Sequence, residues 1–103
     1  MQNIFDAIPA EMPGELIETI AANKNVRIER IVSHGHASEE GFWYDQDEDE
    51  FILLLEGEAE LELEDDIVHL KKGDYLTIKA HQKHRVNWTT PDQSTIWLAL
   101  FFL

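Results

Sequence analysis

The chain has 103 residues, and 8 basic against 21 acidic side chains give it a formal net charge of −13. At this length a single domain over residues 1–103 is expected, large enough to bury one core. The negative balance repels nucleic acid and anionic membrane, and the absence of cysteine removes disulfides, thiolate metal sites and cysteine nucleophiles.

Residues 1–14 read as an N-terminal arm. They hold no basic stretch followed by an apolar one, and the longest apolar run, residues 96–103, is too short to span a bilayer. A cytoplasmic location is expected. Residues 15–22 fit either a short helical stripe through Leu16, Ile17 and Ile20 or a strand. Thr19 and the two isoleucines favour the strand. From Val26 the pattern is of short strands separated by turn residues. Residues 26–32 alternate apolar with charged. Residues 51–55 are continuously apolar, as a strand buried on both faces would be, and residues 59–64 alternate strictly. Further strands are expected over 66–70, 75–78, 85–89 and 95–102. Turns fall at 23–25, Glu56-Gly57, 64–66, 71–73 and Pro91-Asp92. Many short strands at near-regular spacing predict an all-β sandwich or barrel. The long unpatterned stretch, residues 33–49, is the kind of loop that carries function.

Two acidic features have plain explanations. Asp45, Asp47, Asp49 and Glu56 fall on ligand positions of a calcium loop, but Glu50 stands where that loop needs glycine and neither flank is helical. A solvated turn is expected. Glu58, Glu60, Glu62 and Glu64 form one face of a strand opposite Ala59, Leu61 and Leu63, a charged row that discourages edge pairing.

Five histidines remain. His69 reads as surface. His34-Gly35-His36 and His81-x-x-His84 are short pairs of the kind that ligate metal, and each alone is weak evidence. No nucleophile elbow, phosphate-cradling glycine loop or dinucleotide fingerprint is present.

Taken together, Glu50-x6-Gly57 and Gly73-Asp74 through Ile78-Lys-Ala-His81-x-x-His84 resemble the two motifs of the cupin superfamily. The phrase Leu54-Leu-Glu-Gly-Glu-Ala59 is similar to the family's central hairpin. The resemblance covers about residues 26–102. Lys79 stands where the family has proline, His81 where it has glycine and Trp88 where it has asparagine. The usual H-x-H pair falls on Tyr44-Asp45-Gln46 or one residue earlier.

The resemblance implies a cupin double-stranded β-helix, a jelly-roll-like barrel. It also implies action on a small molecule, with a divalent metal (Fe, Mn, Ni or Zn) inside the barrel. Carried over by position, Glu50 and His84 are retained as ligands, and Gln46 and Tyr44 complete or flank the shell. His34 and His36 are spare imidazoles that could fold back to it. The alternative is a non-catalytic ligand-binding or sensing barrel in which Glu50 and His84 pair with each other. By strand parity the pocket is expected to include Val86, Trp88 and Ile52, with Trp43 as a further wall. A homodimer is expected, because Ile4, Phe5, Ile8, Phe101, Phe102 and Leu103 would otherwise leave an apolar patch.

Overall fold

The computed structural model describes Met1–Leu103 and contains eight strands and no helix. They are β1 (Leu16–Ala22), β2 (Val26–Ser33), β3 (Asp49–Glu56), β4 (Glu58–Leu63), β5 (Ile67–Lys71), β6 (Tyr75–Ile78), β7 (His84–Thr89) and β8 (Thr95–Phe102). A five-stranded sheet runs in the order β1-β2-β8-β3-β6, and a three-stranded sheet in the order β5-β4-β7. Every pairing is antiparallel. The expected strand over residues 15–22 is β1, at the edge of the larger sheet. No helix is long and apolar enough to cross a membrane.

The core lies between the two sheets and follows from alternation. Ile52 and Leu54 of β3 and Trp97, Ala99 and Phe101 of β8 meet Ala59, Leu61 and Leu63 of β4 and Leu70 of β5. Glu58, Glu60 and Glu62 take the other face of β4 and are half-buried. The apolar run of β3 is not buried on both faces. Ile52 and Leu54 are buried while Phe51, Leu53 and Leu55 are intermediate, because no layer covers the outer face of an antiparallel two-sheet fold. Phe101, expected in an exposed end patch, is buried in the core for the same reason of parity: it sits two residues from Ala99 on the inner face of β8.

Two local devices set the geometry. Gly57 carries the chain from β3 in one sheet to β4 in the other with φ 91°, and an added Cβ would lie 2.4 Å from Oγ1 of Thr95. Only glycine fits both the backbone and the space. In β7 the register against β4 slips, so that Leu61 faces Val86 while Glu60 faces Trp88. Asn87 is the extra residue of a β-bulge, which resets the parity of everything after it. The N-terminal arm is tied down by the buried Arg30, whose guanidinium donates to the carbonyls of Ile4 at 3.1 Å and Asp6 at 2.6 Å and to Glu18.

Candidate functional site

A chamber of about 280 Å³ lies between the sheets, open at one end. Tyr44, Gln46, Glu50, Ile52, His84 and Val86, all expected from the sequence, line it. Glu50 comes from β3 in the larger sheet and His84 from β7 in the smaller one. Their side chains are only 9% and 7% exposed, and Oε1 of Glu50 lies 3.4 Å from Nε2 of His84. Gln46 donates its amide to the same Glu50 oxygen at 3.2 Å.

The loop before β3 is held against β7 by its own hydrogen bonds. Tyr44 N–H donates to the His84 carbonyl at 2.7 Å, and the Tyr44 carbonyl accepts from His84 N–H at 3.2 Å. Ser38 bonds both polar groups of Val86, its N–H donating to the carbonyl at 2.8 Å and its Oγ accepting from the N–H at 3.0 Å. Arg85 points away from the chamber and donates to the carbonyls of Ser38, Glu39 and Phe42. The pinned loop lays the Tyr44 ring on His84, 5.3 Å between centroids and 21° from parallel, with Phe42 edge-on behind it.

Electrostatics follow from these contacts. The Gln82 carbonyl lies 3.0 Å from Nδ1 of His84 and can only accept, so Nδ1 carries a proton and Nε2 faces Glu50. Burial alone disfavours the imidazolium. The hydrogen bond and charge of Glu50 and the bond to Gln82 outweigh it, and the His84 pKa is raised above its ordinary value. The Tyr44 phenol is also raised, first by burial and then by the carboxylates of Glu15 and Glu50. It therefore keeps a hydroxyl able to donate.

Two expected pocket residues lie elsewhere. Trp88 does not line the chamber: the Asn87 bulge turns it to the outer face, where it is 39% exposed and stacks 5.9 Å from His69. Trp43 faces opposite to Tyr44 along the extended loop and lies under the Arg85 guanidinium at 6.0 Å. His34 and His36 do not reach the chamber either, since His36 Nδ1 accepts from the backbone N–H of His34 at 2.9 Å. His81 sits outside, paired with Asp45 at 2.8 Å and Asp47 at 3.4 Å.

Other lining residues went unread: Glu15, Arg27, Glu29, Ile31 and Trp97. Arg27, Glu29 and Ile31 share one parity, but alternation assigns charged Arg27 and Glu29 to the solvent face, so it pointed them away from the chamber. Nothing in the sequence flagged Glu15.

As donors for a divalent ion the lining residues are sparse. Glu50 and His84 converge, Gln46 and a protonated Tyr44 add only weak oxygen, and no third His, Asp or Glu joins them. Such a set fits an ion held by two protein side chains, with water or ligand completing the shell.

A family described as "Cupin domain" matches residues 29–101. A crystal structure from Ralstonia eutropha JMP134, named a "putative mannose-6-phosphate isomerase", is 38% identical, with 99% of this chain and 96% of that one covered and a TM-score of 0.96. A cupin superfamily protein from Desulfitobacterium hafniense DCB-2 is 22% identical over 93% of this chain and 84% of that one, TM-score 0.77. KdgF from a Halomonas species is 22% identical over 88% and 82%, TM-score 0.74. No curated protein matches. With its two antiparallel sheets closing on a chamber at Glu50 and His84, and with the family match spanning most of its length, the chain belongs to the cupin family.

Proposed function

We propose that this cupin acts on a small molecule bound in the inter-sheet chamber, with Glu50 and His84 as the groups that touch it. The observation that carries the reading is the buried carboxylate–imidazole pair on the wall of an otherwise largely apolar chamber. Ligand sites have this make-up, apolar walls with a few convergent polar groups of perturbed pKa. The Glu50 carboxylate is positioned by Gln46, and the imidazole by Gln82 and the Tyr44 ring. A bound molecule that parts the pair would meet an imidazolium able to give a proton at Nε2 and a carboxylate able to accept one. Proton exchange between neighbouring carbons of a sugar uses such a pair, and the name of the Ralstonia relative makes a sugar-phosphate isomerase one activity to assay.

A second reading has its own observation. The imidazole is anchored at Nδ1 by a backbone carbonyl, as a metal-ligating histidine usually is, and aims Nε2 beside a carboxylate. Glu50 and His84 would hold a divalent ion (Fe, Mn, Ni or Zn), with Gln46 and Tyr44 flanking. When bound, such an ion polarises a ligand oxygen. Elemental analysis of protein purified without added metal or chelating tag separates the readings: near-stoichiometric metal supports the second, its absence the first.

The ligand reading itself is tested by mapping chamber binding with NMR. Small polar and apolar probes, mannose 6-phosphate among them, are expected to shift amide signals of Ile52, His84 and Val86. Filling the space with Val86→Trp is expected to remove those shifts. Probe sites only on the outer surface would contradict it.

A further inference from the structure

A second hollow, of about 350 Å³, borders the chamber. It is lined by Ala37, Ser38 and Phe42 together with three residues that also wall the chamber, Glu15, Tyr44 and Val86. The two spaces therefore adjoin at those three side chains. Size is the first reason to read them together. Ligand cavities run to roughly 300–1,000 Å³. The chamber, at about 280 Å³, falls just short of that range by itself, and with the outer hollow it lies within it.

Phe42 is the second reason. It is 42% exposed, and a single apolar ring in water is ordinary on a protein surface. This ring, however, is carried by a fixed backbone. Phe42 N–H donates to the Glu39 carbonyl at 3.0 Å, the Glu39 and Phe42 carbonyls both accept from Arg85, and Ser38 is bonded to both polar groups of Val86. The ring meets Tyr44 at 4.8 Å with 86° between the planes, and Tyr44 in turn stacks on His84 at 5.3 Å. A row of three rings thus leads from the imidazole in the chamber to an exposed ring in the outer hollow. A contact surface fixed before binding loses little freedom on contact, so it adds affinity efficiently.

We propose that the ligand site has two compartments and that the molecule it takes is elongated. A polar head lies in the chamber at Glu50 and His84, and a second, apolar ring lies against Phe42 in the outer hollow. A shorter ligand still binds in the chamber, but it leaves Phe42 in water and is held less tightly. The inference rests on the reading of the chamber as a ligand site and adds the shape of the ligand and the chemistry of its outer part.

The test uses uncharged probes of increasing length: cyclohexanol, methylcyclohexanol and phenylcyclohexanol, with the substituent opposite the hydroxyl. Dissociation constants and amide shifts are read by NMR. All three are expected to shift Ile52 in the chamber. Only the phenyl compound should also shift Ala37, Ser38 and Phe42, and it should bind at least about tenfold tighter than the methyl compound. Phe42→Ala should close most of that gap. Should this variant fold poorly, the wild-type shift map and affinity series still decide. A phenyl compound that binds no tighter than the methyl one, that leaves Ala37 and Ser38 unmoved, or whose advantage survives Phe42→Ala would overturn the two-compartment proposal while leaving the chamber standing. Probes that shift no chamber amide would overturn both.

Discussion

His81 holds a backbone φ of 63°, in the left-handed region that glycine enters freely and a histidine enters at a cost. The related motif has glycine there, and the structure shows why. What this chain gains in exchange is an ion pair: the hydrogen bond that His81 donates to Asp45, with the charges of Asp45 and Asp47, raises the His81 pKa. A folded pKa above the unfolded value contributes stability that is present below about pH 6.5 and fades as pH rises through the folded pKa. His81→Gly is therefore expected to raise the thermal midpoint at alkaline pH, where only backbone relief remains, and to gain less or nothing at acid pH. An equal gain at both would contradict the ion pair. The residues of the site were legible to different degrees. Glu50 and His84 could be placed by spacing from Gly57 and Gly73, and Tyr44 and Gln46 by parity with each other. Glu15 could not, because its position in the chamber depends on the edge strand it precedes, a long-range pairing with no local signature.

Strands β2 to β8 were readable because alternation or, in β3, a short apolar run lies between turn residues, and β1 because β-branched residues outweighed a short helical stripe. What alternation cannot show is an irregularity within a strand. The Asn87 bulge is invisible in the sequence, and extrapolating parity across it put Trp88 in the wrong place. This has a direct consequence. Trp88→Ala is expected to leave chamber ligand binding unchanged within about twofold and to cost roughly 1 kcal/mol or less, as a partly exposed side chain, whereas Val86→Trp blocks binding. The converse pattern in a binding assay would mean that β7 runs without the slip. The hairpin between the sheets is less forgiving. Gly57→Ala places a Cβ 2.7 Å from the Thr95 Cα at a φ of 91°. A loss of about 1–3 kcal/mol in denaturant unfolding is expected, from overpacking and backbone strain together. A neutral result would show that β8 can move away from the turn.

At the scale of the whole molecule, the site exists only because two sheets close on each other, one contributing Glu50 and the other His84. The larger sheet ends at β1, an unpaired edge on which Ile17 and Ile20 are half-exposed, with Phe5 of the arm also exposed. We propose that two copies pair along this edge, which borders the chamber through Ile17 and Glu15. Sedimentation equilibrium should then return twice the 11.9 kDa chain mass, and a concentration-independent monomer would contradict pairing. The central claim is that Glu50 and His84 meet inside the chamber between the sheets, and the titration of one imidazole tests it most directly. In the wild type, NMR should give His84 a pKa above the ordinary histidine value of about 6.5. In Glu50→Gln the supporting charge is gone while burial persists, so that pKa should fall. An ordinary His84 pKa that the substitution leaves unmoved would show that the two sheets do not bring the pair together.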